Sequence, residues 1–238
     1  MKNLSLPPKL NREIETLILE LKKVYSGDLI SIALYGSAAS GEFISSNSNL
    51  NLLILLKSTS LTDLKKSSNI VKKYKNLTPL FLTEEFIASS SDTFPIEFLD
   101  MQENYQILYG KDIIKDIRVD LKNLRFQCEQ ELKIKLLNLK RIYLEMSNRP
   151  ADLRIPLFKS FNSILHILRN ILRLKGIKPP YKKEELLKEL SGHFKINDLD
   201  KILAAKSKKI MLGKKDIEHL FINFVDNLEE IVKTIDAL

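Results

Sequence analysis

Residues 31–56 read SIALYGSAASGEFISSNSNLNLLILL. The apolar run Leu29–Tyr35 has the length of a buried strand, and Gly36-Ser37 breaks it. A short helical turn is expected next, then a second glycine, Gly41, and a serine-rich polar loop. A second apolar run, about Asn49–Leu56, reads as another strand. Backbone N–H groups at a Gly-Ser turn can cradle phosphate oxygens, and glycine lets a bulky anion approach the main chain. Gly36, Ser37 and Gly41 are therefore the candidate phosphate-binding residues. The second strand opens with Ser48-Asn49-Leu50-Asn51. Alternate strand side chains share a face, so Asn49 and Asn51 are expected to point together.

Periodicity extends the reading in both directions. Leu10, Ile14, Leu17, Ile18, Leu21, Val24 and Tyr25 form a helical stripe over residues 10–25, and Ser26-Gly27-Asp28 ends it. A helix is predicted over 62–74, capped by Thr62 or Ser60, and a third strand over Leu77–Leu82. Thr83-Glu84-Glu85 reads as a helix start, since acidic side chains suit the first turn. Phe94–Met101 reads as a fourth strand. Such alternation of helices and strands implies an α/β or α+β domain over residues 1–116. Beyond it no strand is predicted. Helices are expected over 120–146, 157–174, 182–190, 197–206 and 215–236, making an all-α bundle of residues 117–238.

The pattern of apolar strand, Gly36-Ser37, Gly41, serine-rich loop and Ser48-Asn49-Leu50-Asn51 resembles the nucleotidyltransferase superfamily, which includes the minimal nucleotidyltransferases and kanamycin nucleotidyltransferase. The resemblance covers about residues 10–116 with motif support; for the rest it is architectural. It implies a mixed sheet with flanking helices, a nucleoside triphosphate as ligand and Mg²⁺ as cofactor. Family members place a further carboxylate on a neighbouring strand. Ile96-Glu97-Phe98-Leu99-Asp100 matches that pattern, with Glu97 in the catalytic slot. Asn49, Asn51 and Glu97 thus take the positions of the family's metal-binding triad.

Two of those three positions depart from the family. Asn49 and Asn51 stand where aspartates hold the metal ions. Asparagine offers a neutral oxygen and cannot act as a general base. Two-metal chemistry needs anionic ligands. The expectation is a degenerate site that binds nucleotide, a pseudoenzyme. Glu42 is the available substitute carboxylate, and Ser40 stands where many relatives carry a basic residue. Two other readings remain open. One is an active transferase that moves a nucleoside monophosphate to a hydroxyl or phosphate acceptor. The other is a basic helical module that binds nucleic acid.

Composition agrees with a folded domain pair. The chain has 238 residues, 44% hydrophobic and 29% charged, enough to bury a core without metal or disulfide staples. Cys128 is the one cysteine, so no internal disulfide framework exists, and a reducing, cytoplasmic setting is expected. No apolar run reaches spanning length, so no membrane partner is expected. Net charge is +8, unevenly spread: residues 1–116 carry a net −1 and residues 117–238 a net +9. A basic second half favours anionic partners. Its densest stretch is KSKKIMLGKK, residues 206–215, which has no interleaved aromatic for base stacking. His166, between Leu165 and Ile167, reads as a buried or half-buried structural histidine, and Cys128 as inert core. No Arg is followed four to six residues later by His in the helical half, so that ribonuclease signature is missing.

Overall fold

A computed structural model describes residues 6–39 and 50–235. The chain divides into two compact units, Met1–Asp120 and Leu121–Leu238. Unit 1 contains α1 (Pro8–Tyr25), β1 (Leu29–Tyr35), β2 (Leu50–Leu56), α2 (Leu61–Val71), β3 (Leu77–Leu82), α3 (Glu84–Ser90), α4 (Pro95–Glu103) and β4 (Tyr105–Gly110). The strands form one mixed sheet in the order β3-β2-β1-β4. β1 runs antiparallel to both neighbours, and β2 and β3 are parallel, with α2 as the crossover between them.

Both faces of this sheet are covered, which is why β1 and β2 are apolar almost throughout. On one face Ile32, Leu34, Leu50, Leu52, Ile54 and Leu56 pack against the stripe of α1 and Ile70 of α2. On the other, Ala33, Leu53 and Leu55 meet Ile87 of α3 and Phe98 and Met101 of α4. α1 starts with proline in its first turn, where a missing N–H costs nothing. Tyr25 at its far end reaches Ser67 Oγ at 2.8 Å, joining α1 to α2. Ser60 caps α2, its hydroxyl accepting from the Asp63 N–H at 3.2 Å.

The fourth strand is not where the apolar pattern put it. Residues 95–103 form helix α4, and the edge strand is Tyr105–Gly110. Ile96 and Phe98 alternate with Glu97 and so mimic a strand. Pro95 decides otherwise, because its fixed φ suits a first helical turn. The three-residue spacing of Pro95, Phe98 and Met101 then buries one helical stripe. Gln102 anchors the helix, its amide donating to Ile114 O at 2.8 Å and Ile117 O at 2.7 Å.

Unit 2 contains α5 (Leu121–Met146), α6 (Arg154–Leu174), α7 (Lys183–His193), α8 (Leu199–Lys206) and α9 (Lys214–Ile235), with no strand among the described residues. Leu124, Cys128, Leu132, Leu136 and Leu139 are the buried stripe of α5. Phe161 packs against Phe224, and Tyr143 stacks on Phe221. Glu129 and Lys133 pair across one turn at 2.6 Å. Gly176, at φ +73, ends α6. His166 is exposed, contrary to the sequence expectation. The stripe of α6 runs through Leu165 and Ile167 on either side of it, so the helix turns residue 166 outward. No described helix is long and apolar enough to cross a membrane.

β4 closes on β1 through a tight contact. Gly110 has φ +77, and a Cβ there would lie 2.0 Å from Ile30 O. Buried Ser31 pins the same corner, its hydroxyl 2.7 Å from Lys111 O. Gly110→Ala is expected to cost about 3 kcal/mol or more, combining left-handed strain with a backbone clash. Urea unfolding measures this, and a loss below about 0.5 kcal/mol would contradict the close approach.

Candidate functional site

β1 ends at a corner built on Gly36. Its φ of +77 is left-handed, a conformation that glycine adopts without strain. The chain then makes a 3-10 turn over Gly36–Ala38, closed by Ala39 N–H donating to Gly36 O at 2.9 Å. Gly36 N–H itself donates to Asn104 O, also at 2.9 Å. That bond ties the corner to the junction between α4 and β4. Ala38 is buried and holds the turn against the sheet.

Register lines up four side chains beside this corner. Asn51 lies opposite Tyr35 on β1 and opposite Thr78 on β3, and Tyr35 lies opposite Tyr105 on β4. The row Tyr105, Tyr35, Asn51, Thr78 therefore crosses the whole sheet. Tyr35 and Tyr105 share the face that packs on α3 and α4, and strand alternation puts Asn51 there with Leu53. A Cβ on Gly36 would lie 3.4 Å from Asn51 Nδ2, so the corner and the asparagine amide are neighbours. Burial raises the Tyr35 hydroxyl pKa above its ordinary value. The Tyr105 hydroxyl donates to Asp112 Oδ2 at 3.0 Å. Burial, then that carboxylate, raises its pKa as well.

The donors in this row are neutral: one amide, one threonine hydroxyl and two phenols that stay protonated. Mg²⁺ in a transferase site requires carboxylates. Among the described residues no group of three or more His, Cys, Asp or Glu is placed to hold a metal ion. The described part of the site therefore does not fit a two-metal centre. Gly41, Asn49, Ser40 and Glu42 lie outside the described residues. Of the predicted phosphate residues, Gly36 and Ser37 share the 3-10 turn, and the Ser37 side chain is not described.

Glu97 is exposed in the first turn of α4, not on a strand. The helix meets the Gly36 corner at its other end, through Asn104. At 1.5 Å rise per residue, Glu97 starts about 10 Å farther along the axis. The neighbouring-strand position beside Asn51 belongs to Thr78, and no carboxylate faces Asn51 from either adjacent strand. Tyr35, Tyr105 and Thr78 are what sequence reading missed. Locating β4 at residues 105–110 would have exposed the tyrosine pair. A cleft of about 510 Å³, lined by Lys57, Thr83, Glu84 and Lys111, opens at the opposite end of the sheet.

Unit 2 holds a separate cationic feature. The Lys206 ammonium donates to Phe158 O at 2.5 Å, and the Lys183 ammonium to Asn162 Oδ1 at 3.2 Å. Phe158 and Asn162 are one turn apart on α6, so the two lysines, from α8 and α7, converge there. Each takes a neutral oxygen as partner. Burial first, and then Lys183, lower the Lys206 pKa. A phosphate group placed between them would favour both charged ammoniums and offset their mutual repulsion. Lys206 is expected to titrate below the exposed lysines, and added inorganic phosphate to raise its pKa. Carbon NMR of methylated lysines reads this directly, and a Lys206 signal unmoved by phosphate would refute the anion role.

No family model matches the chain, and no curated protein matches its sequence. Among solved structures, the chain is similar to the spectinomycin adenyltransferase AAD(9) from Enterococcus faecialis, crystallised with ATP and spectinomycin. The TM-score is 0.61 at 10% identity, over 92% of this chain and 99% of that one. So low an identity makes this a likeness of fold. It extends over more sequence than either unit alone contains. A mixed four-stranded sheet with flanking helices, joined to a helical C-terminal region, is thus a nucleotidyltransferase-like fold.

Proposed function

We propose that this chain is a nucleotidyltransferase-like protein that binds a nucleoside triphosphate and has lost ordinary two-metal transfer. One observation carries the reading: Asn51 stands beside the Gly36 corner with Tyr35 and Thr78 as its cross-strand neighbours. A left-handed glycine in a tight turn supports phosphate binding, with the Ser37 and Ala38 N–H groups as the donors, since those of Gly36 and Ala39 are taken within the fold. Among the described residues, the row Tyr105, Tyr35, Asn51, Thr78 contains no carboxylate to hold metal or accept a proton, the groups that transfer needs. The similar AAD(9) structure contains ATP, which supports a nucleoside triphosphate as the ligand class. Gly36, Ser37 and Gly41 are assigned to the phosphates, and Asn49 and Asn51 to the positions that metal ligands occupy in active relatives. Glu97 has no assigned contact with the nucleotide in this reading.

Calorimetry with ATP tests the proposal. Binding of similar affinity is expected in Mg²⁺ and in EDTA. The double variant Asn49→Asp with Asn51→Asp is expected to become Mg²⁺-dependent, with affinity in Mg²⁺ raised about tenfold by restored anionic ligands. Gly36→Ala should weaken ATP binding and cost about 1–2 kcal/mol of stability, because alanine at φ +77 is strained. No ATP binding at all would overturn the reading. So would transfer of labelled nucleotide to an acceptor that disappears with Glu97→Ala, which would restore the active transferase.

A further inference from the structure

Two exposed patches, one on each unit, are left unexplained by nucleotide binding. The first is the loop between α8 and α9. Residues 201–215 contain six lysines and no Asp or Glu. Within that basic stretch Met211 is 96% exposed and Ile210 39%. The second patch is on α3 and the start of α4. Residues 76–110 contain six carboxylates and no Lys or Arg. Here Phe86 and Phe94 stack with ring centroids 6.4 Å apart, yet remain 42% and 39% exposed. Exposed Glu84, Glu85 and Asp92 flank them in sequence.

The patches are complementary in charge and in the apolar side chains they expose. One offers a flexible thioether and an aliphatic side chain within a basic stretch. The other offers a pair of aromatic faces among carboxylates. Methionine sulfur packs favourably on aromatic rings, and opposite charge around an apolar centre orients the encounter. Lys209 makes only a loose 3.8 Å pair with Glu184, both highly exposed, so it can exchange partners. Single-stranded nucleic acid is a poorer occupant of the loop, since no aromatic interleaves with its lysines. An anionic lipid surface would leave the acidic aromatic patch without a role.

We propose that the chain self-associates. The Ile210–Met211 loop of one copy seats on the Phe86–Phe94 pair of a second, with Lys208, Lys209, Lys214 and Lys215 against Glu84, Glu85 and Asp92. The few side chains involved place this contact in the weak, transient class of interfaces. Its charged rim makes it salt-sensitive.

Sedimentation velocity of the full chain, at concentrations rising into the high micromolar range, tests this. Association is expected in low salt and should weaken severalfold at high salt. Met211→Asp is expected to weaken it about tenfold, as is Lys208→Glu with Lys209→Glu, or Glu84→Lys with Glu85→Lys. Combining both charge reversals in one chain should restore association, a result that misfolding does not produce. Circular dichroism checks that the reversed variants keep the overall helical content of the parent chain. A monomer at every concentration overturns the proposal. So does association that ignores Met211→Asp, or a combined reversal that fails to recover. Binding of phosphatidylserine vesicles or of polyuridylate lost on Met211→Asp, with the chain still monomeric, reassigns the loop to that ligand.

Discussion

The peptide of Gly36 is the constraint on which unit 1 turns. Its positive φ lets β1 leave the sheet abruptly, and its N–H is taken by Asn104 O at the start of β4. With that bond made, β4 enters on the free side of β1, and Tyr105 falls opposite Tyr35. The pairing of β1 with β2 then carries the row on to Asn51, and the parallel step to β3 carries it to Thr78. A corner and a register thus place four side chains that are far apart in sequence. Any residue with a Cβ at position 36 would strain the corner through its positive φ, while its Cβ would meet Asn51 only at ordinary contact distance.

The chemistry follows from the charge of those side chains. A triphosphate brings several negative charges, and an active transferase offsets them with metal ions held by carboxylates. Here the described row is neutral, and its phenols are held protonated by burial. Under the proposed function, phosphate recognition relies on backbone N–H groups of the Gly36 corner. In unit 2, by itself, Lys206 and Lys183 each donate to a neutral oxygen of α6.

Much of the scaffold was legible because its signals are local. β1 and β3 were bounded correctly by apolar runs ending at Gly36 and at Thr83. The stripes of α1 and α5 appeared as spacings of three and four. The error at 94–101 has a definite origin. Ile96 and Phe98 satisfy a period of two over three residues, while Phe98 and Met101 satisfy a helical period over the next four. Only Pro95 and the tertiary contacts of Gln102 choose between them. The shift of Glu97 from strand to helix follows from that choice. His166 failed for a related reason: one apolar residue on either side does not give the phase of a helix.

By itself the sequence determined the two kinds of unit, the strand-breaking glycine and the presence of asparagine, not a carboxylate, at 49 and 51. These depend on composition and short-range periodicity, which survive without knowledge of neighbours. Tertiary structure alone decided that Thr78 and Tyr35 flank Asn51, that Glu97 lies on a helix and not on a strand, and that Lys183 and Lys206 converge on α6. Strand order and helix packing set those relations, and both arise from contacts between segments tens of residues apart, where no local pattern carries the information.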